Sequence, residues 1–367
     1  MPAKTYKALG LMSGSSLDGL DLAFCEFSMD GDQVDWKLLI GETLAFSEMW
    51  QARLAHLPVQ NAQVYAKSHI YLGYYFGELC NIFLQKHKVR PDFIASHGHT
   101  IFHDPERRYS AQIGDGAAIA ATTGIRTIDN FRTQDIALGG EGAPIAPIAD
   151  RYLLKGYDFY LNLGGIVNIS CQANGRFIAF DISGANQVLN RLVNELGLPY
   201  DAGGQVAASG QLLDDLFERS NGLEFLKATY PKSLSNQWVQ ESLVPLFMNH
   251  EGSIPNKLCT MVHHIGYQIQ QSVHQVVKKE KLSNSSFKMI ATGGGAYNSF
   301  LIKTISDYNT NIDLEMPTRE IIEFKEAIMI ALMGVLRLEE IPNTIHTVTG
   351  AARDTISGAI HAGHPVH

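Results

Sequence analysis

Alternating apolar and polar side chains open the chain. Tyr6 to Met12 is β-compatible, a turn rich in Ser and Gly spans Ser13 to Gly19, and Leu20 to Ser28 alternates. Asp30-Gly31-Asp32 marks a second turn, and Trp36 to Phe46 alternates again, so the pattern predicts a three-stranded meander. From Asn61 to His87 the period lengthens, with Val64, Ile70, Tyr74, Leu79 and Phe83 at helical spacing, and Phe93 to Ser96 then reads as a short strand. The opening recurs from Phe159. Phe159 to Leu163 is strand-like, Gly164-Gly165 a turn, Ile166 to Gln172 a strand, Asn174-Gly175 a hairpin signal and Phe177 to Asp181 a third strand. Two copies of strand, glycine turn, strand, hairpin, strand predict two related domains. A third glycine cluster, Gly293 to Gly295, follows the strand Lys288 to Thr292 and precedes a helix opening near Asn298. Strands alternating with helices make this an α/β protein. The joint is expected between Asn130 and Pro147, where Gly139, Gly140, Gly142, Pro144 and Pro147 crowd together.

Composition sharpens this picture. The chain has 367 residues, 45% apolar and 18% charged, below the roughly 25% charged of an average globular protein, so a large core is expected. That length suits two or three domains, two being favoured. The balance of 29 Lys+Arg against 37 Asp+Glu, a net charge of −8, argues against nucleic acid as a partner. Cys25, Cys80, Cys171 and Cys259 are far apart with no C-x-x-C pair, which suits reduced thiols. After Lys4 and Lys7 a short apolar stretch soon meets Asp18 and Asp21, leaving no signal-peptide core. Ala327 to Leu336 is about half the ~20 residues that cross a bilayer. A cytoplasmic protein without a membrane partner is expected.

Three glycine turns follow strands, and such turns let backbone N–H groups converge on an anion, with ATP phosphates the obvious guest. Each turn alone also reads as an ordinary strand end, since no Walker A sequence occurs and Gly293 to Asn298 is not a Rossmann fingerprint. In the first turn Ser13, Ser15 and Ser16 can donate to phosphate oxygens, while Asp18 either holds Mg²⁺ through water or caps a turn. Arg132 suits a forked contact to sugar or carboxylate oxygens, or a surface salt bridge. His97, His99 and His103 lie close together, and an H-x-H pair on a strand points both imidazoles one way. Zinc is one reading and hydroxyl recognition the other; no fourth ligand is evident. His263-His264 reads as helix surface and core. Asp181, at the end of its strand, is either a general base or a cap on the next helix near Gly184. Glu326 opens a helix with the apolar stripe Phe324, Ile328, Leu332 and Val335, where a first-turn acid also favours the macrodipole.

Several runs together are specific: "GLMSGSSLDGLD" from Gly10, "SHGHTIFHDP" from Ser96, "QIGDGAAIAATTGI" from Gln112 and "NFRTQDIALGGEGAP" from Asn130. "NLGGIVNIS" from Asn162, "TGGGAYN" from Thr292 and "VTGA" from Val348 complete the set. Over nearly its whole length the chain resembles the anhydro-N-acetylmuramic acid kinases, in the superfamily of sugar kinases, actin and heat-shock chaperone ATPase domains. The resemblance implies two RNase H-like (actin-like ATPase) domains with a nucleotide cleft between them. Residues 1–130 with 345–367 would form one domain and 131–344 the other. It implies ATP phosphates at Gly14, Ser15, Ser16, Leu17, Asp18, Gly19, Leu20 and Asp21 and at Gly164 and Gly165. Adenosine would lie near Gly293, Gly294 and Gly295, with Mg²⁺ accompanying ATP through a ligand the sequence does not identify. The implied reaction hydrolyses the 1,6-anhydro bond of anhydro-N-acetylmuramic acid and phosphorylates O6, giving N-acetylmuramate 6-phosphate in cell-wall recycling.

Within that reaction Asp181 would be the base, Glu326 would serve the sugar and water side, and His97, His99, Arg132 and Asn186 would bind substrate. The family's usual "FDTGPGN" is "FDISGAN" here, which keeps Asp181 and Asn186. Asn190 stands where an acid is usual, His99 and Glu141 where Gln is usual, and "PKSLSNQW" replaces "PKSTGRE". These departures touch the sugar side more than the ATP side. The alternatives are a kinase for another anhydro-sugar such as levoglucosan, or a non-catalytic ATP-gated clamp. Monomer and homodimer both stay open.

Overall fold

The computed structural model describes residues 4–14, 16–31, 33–105 and 107–364. Packing divides the chain into two units, Met1–Lys155 with Glu323–His367, and Gly156–Ile322. Residues 131–155 and 323–344, expected in the second domain, therefore belong with the first. The tie is local: the Glu141 N–H donates to the Thr349 carbonyl, Ala352 N–H to Leu138, and Lys155 Nζ to the carbonyl of Val34.

The strands are β1 (Lys4–Ser13), β2 (Gly19–Asp30), β3 (Gln33–Ala45), β4 (Phe93–Asp104), β5 (Tyr109–Ile113), β6 (Thr127–Asp129), β7 (Phe159–Leu163), β8 (Ile166–Ala173), β9 (Arg176–Gly184), β10 (Phe287–Thr292), β11 (Ile312–Glu315) and β12 (Ala359–His361). In the first unit the order is β12-β6-β4-β1-β2-β3, with β5 beside β4; in the second it is β11-β10-β7-β8-β9. Each unit begins with an antiparallel meander, β1-β2-β3 or β7-β8-β9, whose first strand then pairs in parallel with the fourth, β4 or β10. This shared arrangement is the RNase H-like fold, present twice. The meanders predicted from alternation are there, the second unit's within three residues of the expected bounds. The expected turn at 30–32 includes Asp32, which lies outside the described residues.

Burial explains the elements. In the first unit Leu9, Leu22 and Ile94 from the sheet meet Leu72, Phe76 and Phe83 of the helix Ala62–His87. Asn61 caps that helix by accepting from the Val64 N–H. Ile70 and Tyr74, read from spacing as part of its apolar stripe, are exposed; the buried face runs through Leu72, Phe76, Leu79 and Phe83. The second unit centres on strand residues such as Phe159, Leu161 and Ile169 against Ile265, Ile269 and Val273 of the helix Ile254–Glu280.

Two boundaries change the chemistry expected from sequence. β9 continues to Gly184, so Asp181 lies within the strand rather than at its end. The helix carrying Glu326 runs Arg319–Leu338, so this residue is well past the first turn, and the macrodipole account does not apply. The stripe Phe324, Ile328, Leu332 and Val335 is buried as predicted. Among the described residues no helix is long and apolar enough to cross a membrane.

Candidate active site

In the first unit the chain turns from β1 to β2 through Gly14–Asp18. The turn is closed by Leu17 N–H to the Gly14 carbonyl, with Leu17 at φ +60°, and Phe46 N–H holds the Asp18 carbonyl. Ser16 and Asp18 are exposed, and the Ser16 hydroxyl donates to Asp18 Oδ1 at 2.6 Å. Leu17 packs against the core and Leu20 is wholly buried, so these two have only backbone to offer an anion. Ser15 lies outside the described residues.

Other expected residues of the first unit form two pairs, Ser13 with His99 and His97 with Arg132. Ser13 Oγ meets His99 Nδ1 at 2.9 Å, where β1 and β4 run in parallel; both residues are buried. Burial lowers the His99 pKa. Gly98, between the histidines, has φ +74°, so the two-residue alternation assumed for H-x-H breaks there. His97 is committed elsewhere: its Nδ1 lies 3.1 Å from the Gly98 carbonyl, and its Nε2 accepts from Arg132 Nε at 2.9 Å. The zinc reading finds no support, for among the described residues no group of three His, Cys, Asp or Glu could hold a metal. His103 is half a strand further on, paired with Ser110.

Arg132 also donates through Nη1 to the Gly142 carbonyl at 2.6 Å. Among the described residues no carboxylate is within ion-pair range of it, so the surface salt bridge does not occur. Burial pushes its pKa down to about 10, opposed by the fields of Glu326 and Asp135. Glu326 is exposed, yet desolvation by the groups packed around it raises its carboxyl pKa, with Lys325 and Arg132 acting the other way. Lys325 is itself held by a buried Asp150 at 3.0 Å. Asp21 is raised too, first by burial and then by the nearby charges of Asp18, Glu326 and Glu323, while Thr43 donates to it at 2.5 Å. The first unit thus joins Asp21, Glu326, Arg132, His97 and His99 in one electrostatic neighbourhood.

The second unit holds a different set. Gly164 and Gly165 join β7 to β8. Their carbonyls accept from the N–H groups of Ala185, Asn186 and Gln187 at the start of the helix Asn186–Val193, which fixes the turn against that helix. The Gly293 turn follows β10 and not the first strand, so it corresponds to Gly98 of the first unit rather than to the turns at Gly14 and Gly164. Gly293 has φ +84°, and a β-carbon there would also lie 2.8 Å from Asn162 Oδ1.

A pocket of about 520 Å³ opens beside this turn, lined by Asn186, Asn190, Tyr200, Gly294, Gly295 and Tyr297 among others. Arg319 stacks over the Tyr297 ring at 5.8 Å. Asn186, grouped with the sugar residues on sequence grounds, sits here: its Nδ2 donates to the Leu163 carbonyl at 3.0 Å, and its Oδ1 lies 3.3 Å from where a Gly295 β-carbon would be. Sequence reasoning missed Tyr200, Tyr297 and Arg319. One signal was available, the paired glycines of Tyr200-Asp201-Ala202-Gly203-Gly204, both left-handed, with Asp201 accepting from Val206 and Ala207 N–H groups.

Asp181 does not cap the next helix. Its Oδ2 accepts from the Leu234 N–H at 2.7 Å and from the Ser233 hydroxyl at 3.2 Å, both in the segment read as "PKSLSNQW". Burial raises its pKa, while these bonds and the Lys232 charge partly offset that rise. It is a carboxylate fixed by one oxygen and shifted toward proton uptake. His264 is fully buried as expected, its Nε2 2.9 Å from Ser183 Oγ.

Comparison with known proteins places the chain in a family. Residues 6–363 match the family model for anhydro-N-acetylmuramic acid kinase. A protein of that name from Francisella tularensis subsp. novicida is 34% identical over 97% of this chain and 99% of its own. One from Bacillus thuringiensis subsp. konkukian is 30% identical over 96% and 98%. Among solved structures, the ADPNP-bound activator of the 2-hydroxyisocaproyl-CoA dehydratase from Clostridium difficile covers 91% of this chain and 96% of its own at 12% identity, but the TM-score of 0.40 is too low to carry weight. The family match over almost the entire chain, with relatives of that name covering nearly all of it, makes this chain a member of the anhydro-N-acetylmuramic acid kinase family.

Proposed function

We propose that the protein is an ATP-dependent kinase that opens the 1,6-anhydro bond of anhydro-N-acetylmuramic acid with water and phosphorylates O6, giving N-acetylmuramate 6-phosphate. The observation that carries this reading is Asp181, a carboxylate anchored by Leu234 and Ser233 through one oxygen and raised by burial. A base so tuned takes a proton more readily than an ordinary aspartate while remaining fixed in direction. In the reaction, water attacks the anomeric carbon and gives its proton to Asp181. The bond from that carbon to O6 breaks, and O6 attacks the γ-phosphorus as the bond to ADP breaks. Glu326 orients sugar hydroxyls or the water, and Arg132 takes the lactyl carboxylate.

Adenosine is assigned to the pocket at Gly294 and Gly295, where Tyr297 and Tyr200 offer flat faces for the base and Asn186 belongs with the nucleotide contacts. The phosphates are assigned to backbone N–H groups in the turns at Gly14–Gly19 and Gly164-Gly165. Mg²⁺ would sit beside Asp18 and Asp21: burial first, and then the charges of Asp18, Glu326 and Glu323, raise the Asp21 pKa, and a cation would relieve that repulsion. Bound there, it would neutralise phosphate charge. Such an ATP-dependent step suits the cytoplasm, with ATP and the anhydro-sugar as its small-molecule partners.

The test is direct. The protein is mixed with Mg-ATP and either anhydro-N-acetylmuramic acid or levoglucosan, and ADP and sugar phosphate are followed by mass spectrometry. Equimolar ADP and N-acetylmuramate 6-phosphate are expected. Preference for levoglucosan would overturn the substrate, and no turnover with either would overturn the kinase.

A further inference from the structure

His97 and Arg132 have a definite polarity. An arginine Nε only donates, so His97 Nε2 must be the bare nitrogen, and Nδ1 carries the proton that it gives to the Gly98 carbonyl. Both ring nitrogens are then used, and none remains for a sugar hydroxyl. The guanidinium in turn is held by two neutral acceptors, His97 Nε2 and the Gly142 carbonyl at 2.6 Å. Gly142 is fixed in place by its own N–H, which donates to the buried Asp135 at 2.9 Å, and the other oxygen of Asp135 takes the Thr349 hydroxyl at 2.8 Å. Both oxygens of Asp135 are thus engaged, and neither is bonded to Arg132. A desolvated guanidinium is strongly drawn to a counterion, yet among the described residues none is in ion-pair range here; its Nη2 donors are unclaimed.

We propose that His97 is a positioning residue for Arg132, holding the guanidinium plane through Nε as an uncharged acceptor and leaving its charge for the carboxylate of an incoming anionic sugar. A carboxylate in the place of His97 would hold the same N–H but would neutralise the guanidinium in advance. An imidazole holds the direction and leaves the charge free. Burial keeps the His97 ring neutral down to about pH 3, so the acceptor persists across the working range. The proposal rests on the reading of the site as one for a lactyl-bearing sugar.

Two variants separate the roles of the ring nitrogens. In His97→Gln the amide end falls near the Nε2 position; in His97→Asn it falls near Nδ1, within reach of Gly98 but short of Arg132. Steady-state kinetics on anhydro-N-acetylmuramic acid should show H97Q within about threefold of wild type in KM, and H97N raised about tenfold with kcat little changed. Equal KM values for the two, or a fall in kcat alone, would overturn the proposal. A second measurement needs no turnover: the Arg132 Nε–H resonance in a ¹⁵N–¹H spectrum, assigned through Arg132→Lys, should stay protected from solvent exchange in wild type and H97Q and lose protection in H97N. Protection in all three would also overturn the proposal. Wild-type enzyme without turnover but with the protected resonance would sink the kinase reading and keep the His97–Arg132 arrangement.

Discussion

Gly10 of β1 lies against Ala327 so closely that a β-carbon on Gly10 would come within 1.9 Å of the Ala327 carbonyl oxygen. Ala327 follows Glu326, so this contact sets how near the helix Arg319–Leu338 approaches the sheet and where its carboxylate stands. The same helix meets Gly41 through Phe324. Gly10→Ala should therefore lower stability by at least the ~1–3 kcal/mol typical of overpacking, because the obstacle is backbone and cannot swing aside. Thermal unfolding would measure the loss, and a sugar KM raised together with it would show that Glu326 has moved.

Asp181→Asn should reduce kcat by about 10²- to 10⁴-fold, the usual scale for losing a general base, with nucleotide affinity unchanged. Calorimetric titration with ADP checks the second half. Retention of near wild-type kcat would remove Asp181 from the chemistry.

The pH dependence has a definite sign. Asp181 must be ionised to accept a proton, and burial raises its pKa above the ordinary ~3.9 of aspartate. The rate should fall on acidification at a higher pH than an unperturbed aspartate would give. Because the folded state binds this proton more tightly than the unfolded chain, the ionised group costs stability above its folded pKa, and that cost fades as the pH drops through it. At neutral pH, Asp181→Asn should thus unfold no earlier than wild type, which thermal melts at two pH values would reveal.

Asn186 gives the cleanest division between ligands. If it serves the nucleotide, Asn186→Ala should weaken ADP binding by about three- to tenfold, the worth of roughly one hydrogen bond, and leave the sugar KM unchanged. The opposite pattern would return Asn186 to the sugar.

Thr349→Val should cost about 1.5–3 kcal/mol, because it removes the hydroxyl that donates to the fully buried Asp135 at 2.8 Å. Urea unfolding at unchanged slope would register it as a lower midpoint. The loop from Arg132 to Gly142 hangs on Asp135, so the sugar KM should rise as well.

Alternation made the meanders legible: β7 has the bounds expected from sequence, and Asn298 caps the helix Ser299–Tyr308 as anticipated. Where alternation runs on past a polar residue the limits slip, as at Asp181, where pairing with β8 carries β9 to Gly184. Helix spacing alone also took Ile70 and Tyr74 for core, because which face is buried depends on the sheet that the helix meets. The motif runs that carry the family match were legible in sequence. The spatial groupings were not: Asn186 lines the Gly294 pocket, the His97 ring bonds Arg132 and the Gly98 carbonyl, and Tyr200 and Tyr297 went unnoticed because lone tyrosines carry no spacing signal.

The sequence by itself determined the doubled strand–turn–strand plan and the family. Each follows from local periodicity or from a short run of residues, and such information survives in one dimension. Tertiary structure alone decided which unit owns residues 131–155 and 323–344, how close Glu326 comes to Arg132 and Asp21, and which way the His97 ring faces. Those outcomes depend on contacts between segments far apart in the chain, such as Gly10 with Ala327 and Asp135 with Thr349, and on the desolvation that packing imposes on charge.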